Sequence, residues 1–222
     1  MIVKFFQLLK CKIRVFIVLI PLLLISDQLW AKEPKLLILG DSLSAAYGIS
    51  QAQGWVSLLQ DMWKDQPISV INAAISGETT DGALARLPRL LQQHQPTHIF
   101  VELGGNDGLQ GHPINKMQQN LAKIIEQAQQ QDVVVILQEM RIPTNYGKRY
   151  TDMFTQSYET LAQQYQVTML PFFIEDIATD SSLMQKDGIH PNAEAQPLIA
   201  QDMYDKLGAI IFAGRTIDKQ LD

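Results

Sequence analysis

From Lys35 onward the chain alternates between short aliphatic or β-branched runs and longer stretches whose apolar residues recur at helical spacing. Few architectures accept that alternation. Strands separated by amphipathic helices are too far apart in sequence to join as tight hairpins, so they pair in parallel with the helices crossing over the sheet faces. The runs at residues 36–39, 68–72, 98–103, 133–138 and 167–170 predict five strands. Between them, Trp55, Val56, Leu59 and Met62 form one helical face, and Ile114, Met117, Leu121, Ile124, Ile125 and Ala128 form a second. Tyr150, Phe154, Tyr158 and Leu161 supply a third, and a last helix is expected from about residue 193 to 211, followed by a frayed tail at 214–222. The fold class is α/β, a doubly wound parallel sheet. At 222 residues the chain has room for one such domain.

The first 31 residues do not belong to that pattern. Lys4, Lys10, Lys12 and Arg14 lead into an apolar run at 15–25, which ends in Ser26 and Asp27. A basic start, a short apolar middle and a polar end are the order of a secretory signal peptide, and the run is shorter than the ~20 apolar residues that span a bilayer. The sequence thus predicts a leader at 1–31, cleaved after Ala31, and a mature domain at 32–222 that is periplasmic or secreted with no stable membrane insertion. Removing four basic residues and one acidic residue leaves 14 Lys and Arg against 22 Asp and Glu, a net charge near −8. Such a surface repels nucleic acid. Cys11 is the only cysteine and falls in the leader, so the mature chain forms no intramolecular disulfide. Neither paired Cys/His ligand spacing nor H-E-x-x-H occurs, and no metal or cofactor is expected.

In an open parallel sheet, ligands bind beyond the carboxyl ends of the strands. Four polar blocks fall there or close by: Gly40-Asp41-Ser42-Leu43-Ser44, the stretch from Asn72 to Glu78, Gly104-Gly105-Asn106-Asp107-Gly108, and Asp187-Gly188-Ile189-His190-Pro191-Asn192. A serine becomes a nucleophile only beside a base. His190 is the one histidine preceded at three residues by a carboxylate in a Gly-containing turn, a spacing that lets Asp187 hold Nδ1 and aim Nε2 at Ser42. His94, His98 and His112 read as solvated or helix-end residues. Attack by serine on a carbonyl generates an oxyanion, for which the Asn106 amide and the Gly77 and Ser42 N–H groups are candidate donors. Each is weak alone, since Gly-Asn-Asp is also ordinary turn chemistry. Asp41 and Asp107 read as structural groups binding loop amides. The segment Gly108-Leu109-Gln110-Gly111-His112-Pro113 sets one leucine between glycines, and a rearrangement at Gly111 would let Leu109 cover a substrate chain.

Ser42, Gly77, Asn106 and His190, in that order and in those blocks, resemble the SGNH (GDSL-type) hydrolases, a resemblance that covers residues 34–211. GDSLSAAYGI, ISGETT, ELGGNDGLQG, MRIPTNYGKRY, LPFF and DGIHPN are closest to a bacterial periplasmic subgroup of thioesterases, arylesterases and lysophospholipases. The resemblance implies a flavodoxin-like three-layer α/β/α sandwich on a five-stranded parallel sheet. It further implies a Ser42, Asp187, His190 triad, an oxyanion hole from Ser42, Gly77 and Asn106, and no metal or cofactor. Substrate contacts are expected at Leu109, Gly111 and Pro143. The expected partner is a small-molecule acyl ester or thioester, met by a monomer. Ser42 sits in G-x-S-x-S, unlike the G-x-S-x-G elbow of the α/β-hydrolases.

Two other readings compete. A carbohydrate deacetylase uses the same chemistry, but the subgroup match at residues 145–150 and the scarcity of aromatics for a sugar platform oppose it. A non-catalytic phosphate cradle built on the GDSLSAAYG loop lacks both the Walker lysine and G-x-G-x-x-G, and it leaves Asp187 and His190 without work.

Overall fold

A computed structural model describes residues 33–213, so the predicted leader and tail lie outside the described residues. Five strands appear: β1 (Lys35–Gly40), β2 (Ser69–Asn72), β3 (His98–Glu102), β4 (Val134–Gln138) and β5 (Thr168–Leu170). They form one parallel sheet in the order β2-β1-β3-β4-β5. This is the flavodoxin-like arrangement that the resemblance implies, and the five strands lie within one or two residues of the ends expected from the sequence.

Seven α-helices lie among the described residues: α1 (Trp55–Met62), α2 (Thr80–His94), α3 (Gly105–Leu109), α4 (Ile114–Gln129), α5 (Lys148–Tyr165), α6 (Glu175–Ala178) and α7 (Gln196–Ile211). Side chains alternate across a strand, so each face of the sheet collects every second residue. Leu37, Leu39, Ile99, Val101, Val135 and Leu137 pack on one side against α2, α4 and α5. Leu36, Ile38, Phe100 and Ile136 pack on the other against α1 and α7. The result is a three-layer α/β/α sandwich. Each buried leucine or isoleucine contributes roughly 1.5–3 kcal/mol, so these two apolar layers supply most of the driving force.

Helix α2 is missing from the sequence expectation. It carries Gly82 and Pro88, residues that helix interiors disfavour, and Pro88 has no N–H to give the Leu84 carbonyl. Tertiary burial outweighs that loss: Ala83, Leu87, Leu90 and Leu91 recur at helical spacing and all face the core. The ends help, with the Thr79 side chain accepting from Gly82 N–H at 3.4 Å and Gln95 taking the left-handed conformation after the last turn. Two boundaries also shift. Met62 is exposed, and the adjacent Trp63 takes the buried place expected for it. The last helix starts at Gln196, because the Asn192 side chain accepts from Glu194 N–H and Ala195 N–H and holds the preceding residues in a turn.

The chain runs from β1 outward to β2 and then crosses to β3 on the opposite side of β1. Loops leaving β1 and β3 therefore diverge, and a crevice opens between them at the carboxyl edge.

Candidate active site

Ser42 stands in the loop that leaves β1. Asp41 bends the chain there: its Oδ1 accepts from Leu43 N–H at 3.0 Å, and its carbonyl accepts from Ala45 N–H at 3.0 Å. Trp55 Nε1–H donates to the Leu43 carbonyl and Asn72 Nδ2–H to the Ser44 carbonyl, which tie the turn to α1 and β2. Ser42 is thereby lifted toward the crevice while Ser44 points inward, buried, with its hydroxyl on Glu102 Oε2 at 2.8 Å.

The second loop arrives from the far end of the chain. Gly188 adopts φ 71°, a conformation that favours glycine, and the turn folds Ile189 N–H and His190 N–H back onto Asp187 Oδ1, each at 3.0 Å. The other carboxylate oxygen meets His190 Nδ1 at 2.7 Å, and Nε2 of the same ring lies 2.8 Å from Ser42 Oγ. An ionised carboxylate can only accept, so Nδ1 carries the proton and Nε2 presents its lone pair to the serine hydroxyl. Partial burial acts to raise the Asp187 carboxyl, but the hydrogen bonds from Ile189 N–H, the His190 ring and His190 N–H outweigh it and hold the group at about 2.

The candidate oxyanion donors gather beside Ser42. Gly77 takes φ 79° with open space around the position of a Cβ. Among the described residues, neither Ser42 N–H nor Gly77 N–H donates to a backbone carbonyl. Asn106 is different. It lies in α3, and its Nδ2 donates to Asp41 Oδ2 and to the Glu78 carbonyl, both at 3.0 Å, so both amide protons have protein acceptors. Asp107 turns away and binds Thr80 N–H and Oγ–H.

Residues 38–197 match the GDSL-like lipase/acylhydrolase family. The chain belongs to that family. It is 47% identical over 181 residues to thioesterase 1/protease 1/lysophospholipase L1 of Escherichia coli K12, covering 82% of this chain and 86% of that protein. It is also 47% identical over 175 residues to an arylesterase of Vibrio mimicus, covering 78% and 88%. Its structure resembles that of the psychrotrophic esterase EstA from Pseudoalteromonas sp., crystallised as inhibited by monoethylphosphonate, with a TM-score of 0.77, 49% identity, and 79% and 97% of the two chains covered. This GDSL-type chain is therefore a carboxylic ester or thioester hydrolase.

In this GDSL-type hydrolase, Ser42, Gly77, Asn106 and His190 all line one open cavity of about 270 Å³, small for a ligand cleft. Of the three expected substrate contacts, only Leu109 reaches it. Leu109 is half-buried and already on the cavity wall, because it closes helix α3. Gly111 sits in the turn after α3 at φ 69°, and Pro143 is exposed at the start of a 3-10 turn; neither lines the cavity. The wall also contains side chains that the sequence reading passed over: Tyr47, Met140, Phe172, Ile174 and Ile189. Tyr47 lies against the His190 ring with centroids 4.4 Å apart. Gln185 braces that pair, its amide donating to the carbonyls of Tyr47 and Pro191. An aromatic residue five positions beyond the serine was the available signal.

Proposed function

We propose that the chain is an exported esterase and thioesterase whose nucleophile is Ser42, with His190 as base and Asp187 as its orienting carboxylate. The unbroken line from Asp187 through His190 to Ser42, with contacts of 2.7 and 2.8 Å, carries this reading. Ser42 Oγ attacks the acyl carbon as its proton passes to His190 Nε2, and the carbonyl π pair moves onto oxygen. Ser42 N–H, Gly77 N–H and the Asn106 amide receive that oxyanion. The Asn106 proton now on the Glu78 carbonyl is shared with it, while the proton on Asp41 keeps the amide in place. Collapse breaks the bond to the leaving oxygen or sulfur, which takes the proton from His190. Water, deprotonated by the same imidazole, then attacks the acyl-serine, and the second oxyanion collapses to free acid with Ser42 reprotonated.

The apolar walls formed by Leu109, Met140, Phe172 and Ile174 suit an acyl chain, in keeping with relatives named for thioesters, aryl esters and lysophospholipids. Export rests on the leader at residues 1–31, and no helix among the described residues is long and apolar enough to cross a membrane. The test is labelling of mature protein by a fluorophosphonate, followed by turnover of graded acyl esters, acyl thioesters and an acetylated sugar. Labelling with hydrolysis of acyl esters or thioesters is expected. Absence of labelling, or turnover confined to the acetylated sugar, overturns the proposal.

A further inference from the structure

Glu102 ends the buried strand β3 and has no solvent exposure at all. Its Oε2 accepts from Asp41 N–H at 3.1 Å and from Ser44 Oγ–H at 2.8 Å, whereas its Oε1 is buried without a hydrogen-bond partner. Two donors on one oxygen and none on the other is the pattern of a neutral acid, with Oε2 as carbonyl and Oε1 as hydroxyl. The Asp41 carboxyl is a neighbour of Glu102 through the backbone, since Asp41 N–H is one of the two donors on Oε2. Two neighbouring carboxyl groups, both buried, resist ionising together. Asp41 in turn spends one oxygen on Leu43 N–H and the other on the Asn106 amide. Gly40 fits the same design, because a Cβ there would stand 2.6 Å from Glu102 Oε2.

We propose that Glu102 is a positioning residue, a neutral carboxylic acid whose Oε2 holds the Asp41 backbone N–H and the Ser44 hydroxyl so that the Asp41 carboxylate can hold the Asn106 amide beside the reacting carbonyl. This rests on Asn106 acting as an oxyanion donor, as read above. Burial, and next the adjacent Asp41 charge, push Glu102 well above the ordinary carboxyl range, and the Ser44 hydroxyl opposes them without reversing the sign. The choice of which partner keeps the proton follows from the donors: Asp41 has one on each oxygen, and Glu102 has both on one.

Glutamine reproduces a neutral glutamic acid, one acceptor and one donor in nearly the same shape, and leucine reproduces neither. Glu102→Leu is expected to lower kcat by roughly 10²-fold with KM little changed, the effect of misplacing one oxyanion donor, and Glu102→Gln to recover most of that loss. Infrared spectroscopy of the folded wild type at neutral pH should show the carbonyl band of a protonated carboxylic acid, absent from Glu102→Gln. Persistence of that band in Glu102→Gln, absence of the band from wild type, or a glutamine variant as impaired as leucine overturns the proposal. Where Glu102→Leu does not fold, the infrared comparison and the activity of Glu102→Gln still decide it. Asn106→Ala separates this from the catalytic reading: an unchanged kcat sinks the role of Asn106 and with it the positioning role of Glu102, while a missing band with a large Asn106 effect sinks the carboxyl pair alone.

Discussion

His190 Nε2 lies 2.8 Å from Ser42 Oγ although 148 residues separate them in the chain. That contact joins the first loop of the sheet to the last loop of the domain, so the proposed nucleophile and its base meet only in the folded state. Ser42→Ala removes the attacking oxygen and should abolish both turnover and fluorophosphonate labelling, with the secondary structure intact by circular dichroism. Ser44 is the nearest decoy, but its buried hydroxyl is committed to Glu102. Ser44→Ala should still label, at a stability cost of about 1 kcal/mol for the lost hydrogen bond. Labelling that survives Ser42→Ala and vanishes with Ser44→Ala would reassign the nucleophile.

Asp187 makes a pH-dependent contribution whose sign follows from its hydrogen bonds. The folded carboxyl is held at about 2 against an ordinary 3.8, so the unfolded chain binds its proton more readily than the folded one. Stability from the ionised group is present above 3.8 and is lost as pH falls through about 2. The difference in urea-denaturation free energy between wild type and Asp187→Asn should therefore be larger above that acid window than below it. A difference that does not change with pH would show that the carboxylate is not held in its charged form by the His190 turn.

The sheet was legible because its strands are short apolar runs, and burial on both faces leaves such a run little freedom to be anything else. The meeting of Ser42, His190 and Asp187 was legible because a histidine and a carboxylate at turn spacing, with a serine in the first loop, have few structural uses. Helix α2 was not legible, since Gly82 and Pro88 lower local helix propensity and only packing of Leu87, Leu90 and Leu91 restores it. Glu102 and Tyr47 make contacts with residues distant in sequence, Asp41 and His190, which the sequence marks only by an aromatic residue five positions beyond Ser42 for Tyr47. For Glu102 the visible mark was a charged residue ending the apolar strand His98–Glu102.

Asn106 tests the division between binding and transition-state stabilisation. Its amide is anchored on Asp41 Oδ2, which fixes the direction of the proposed oxyanion donor. Asn106→Ala should lower kcat by roughly 10²- to 10³-fold and leave KM nearly unchanged, as for removal of one oxyanion donor. A change confined to KM would make Asn106 a substrate-binding residue instead.

Leu109 should set the dependence of rate on acyl length. It closes helix α3 with its side chain on the cavity wall, and its carbonyl accepts from Tyr146 Oη–H at 2.8 Å, so it is held over the cleft from a second element. The neighbouring backbone is restrained as well, since Tyr150 Oη–H donates to the carbonyls of Gly108 and His112. Gly111 lies beyond these ties at φ 69°, and its N–H donates to the Gly108 carbonyl. Proline there would lose both the angle and the bond, so Gly111→Pro confounds loop motion with unfolding of the turn. Leu109→Ala is the cleaner change. Each methylene buried is worth about 0.8 kcal/mol, or roughly fourfold in kcat/KM, until the cavity is full. Leu109→Ala should flatten that rise for the longer esters while leaving acetate esters nearly unaffected, because an acetyl group is too short to reach it. Parallel chain-length profiles for wild type and Leu109→Ala, measured on one series of aryl esters, would remove Leu109 from the acyl-binding wall.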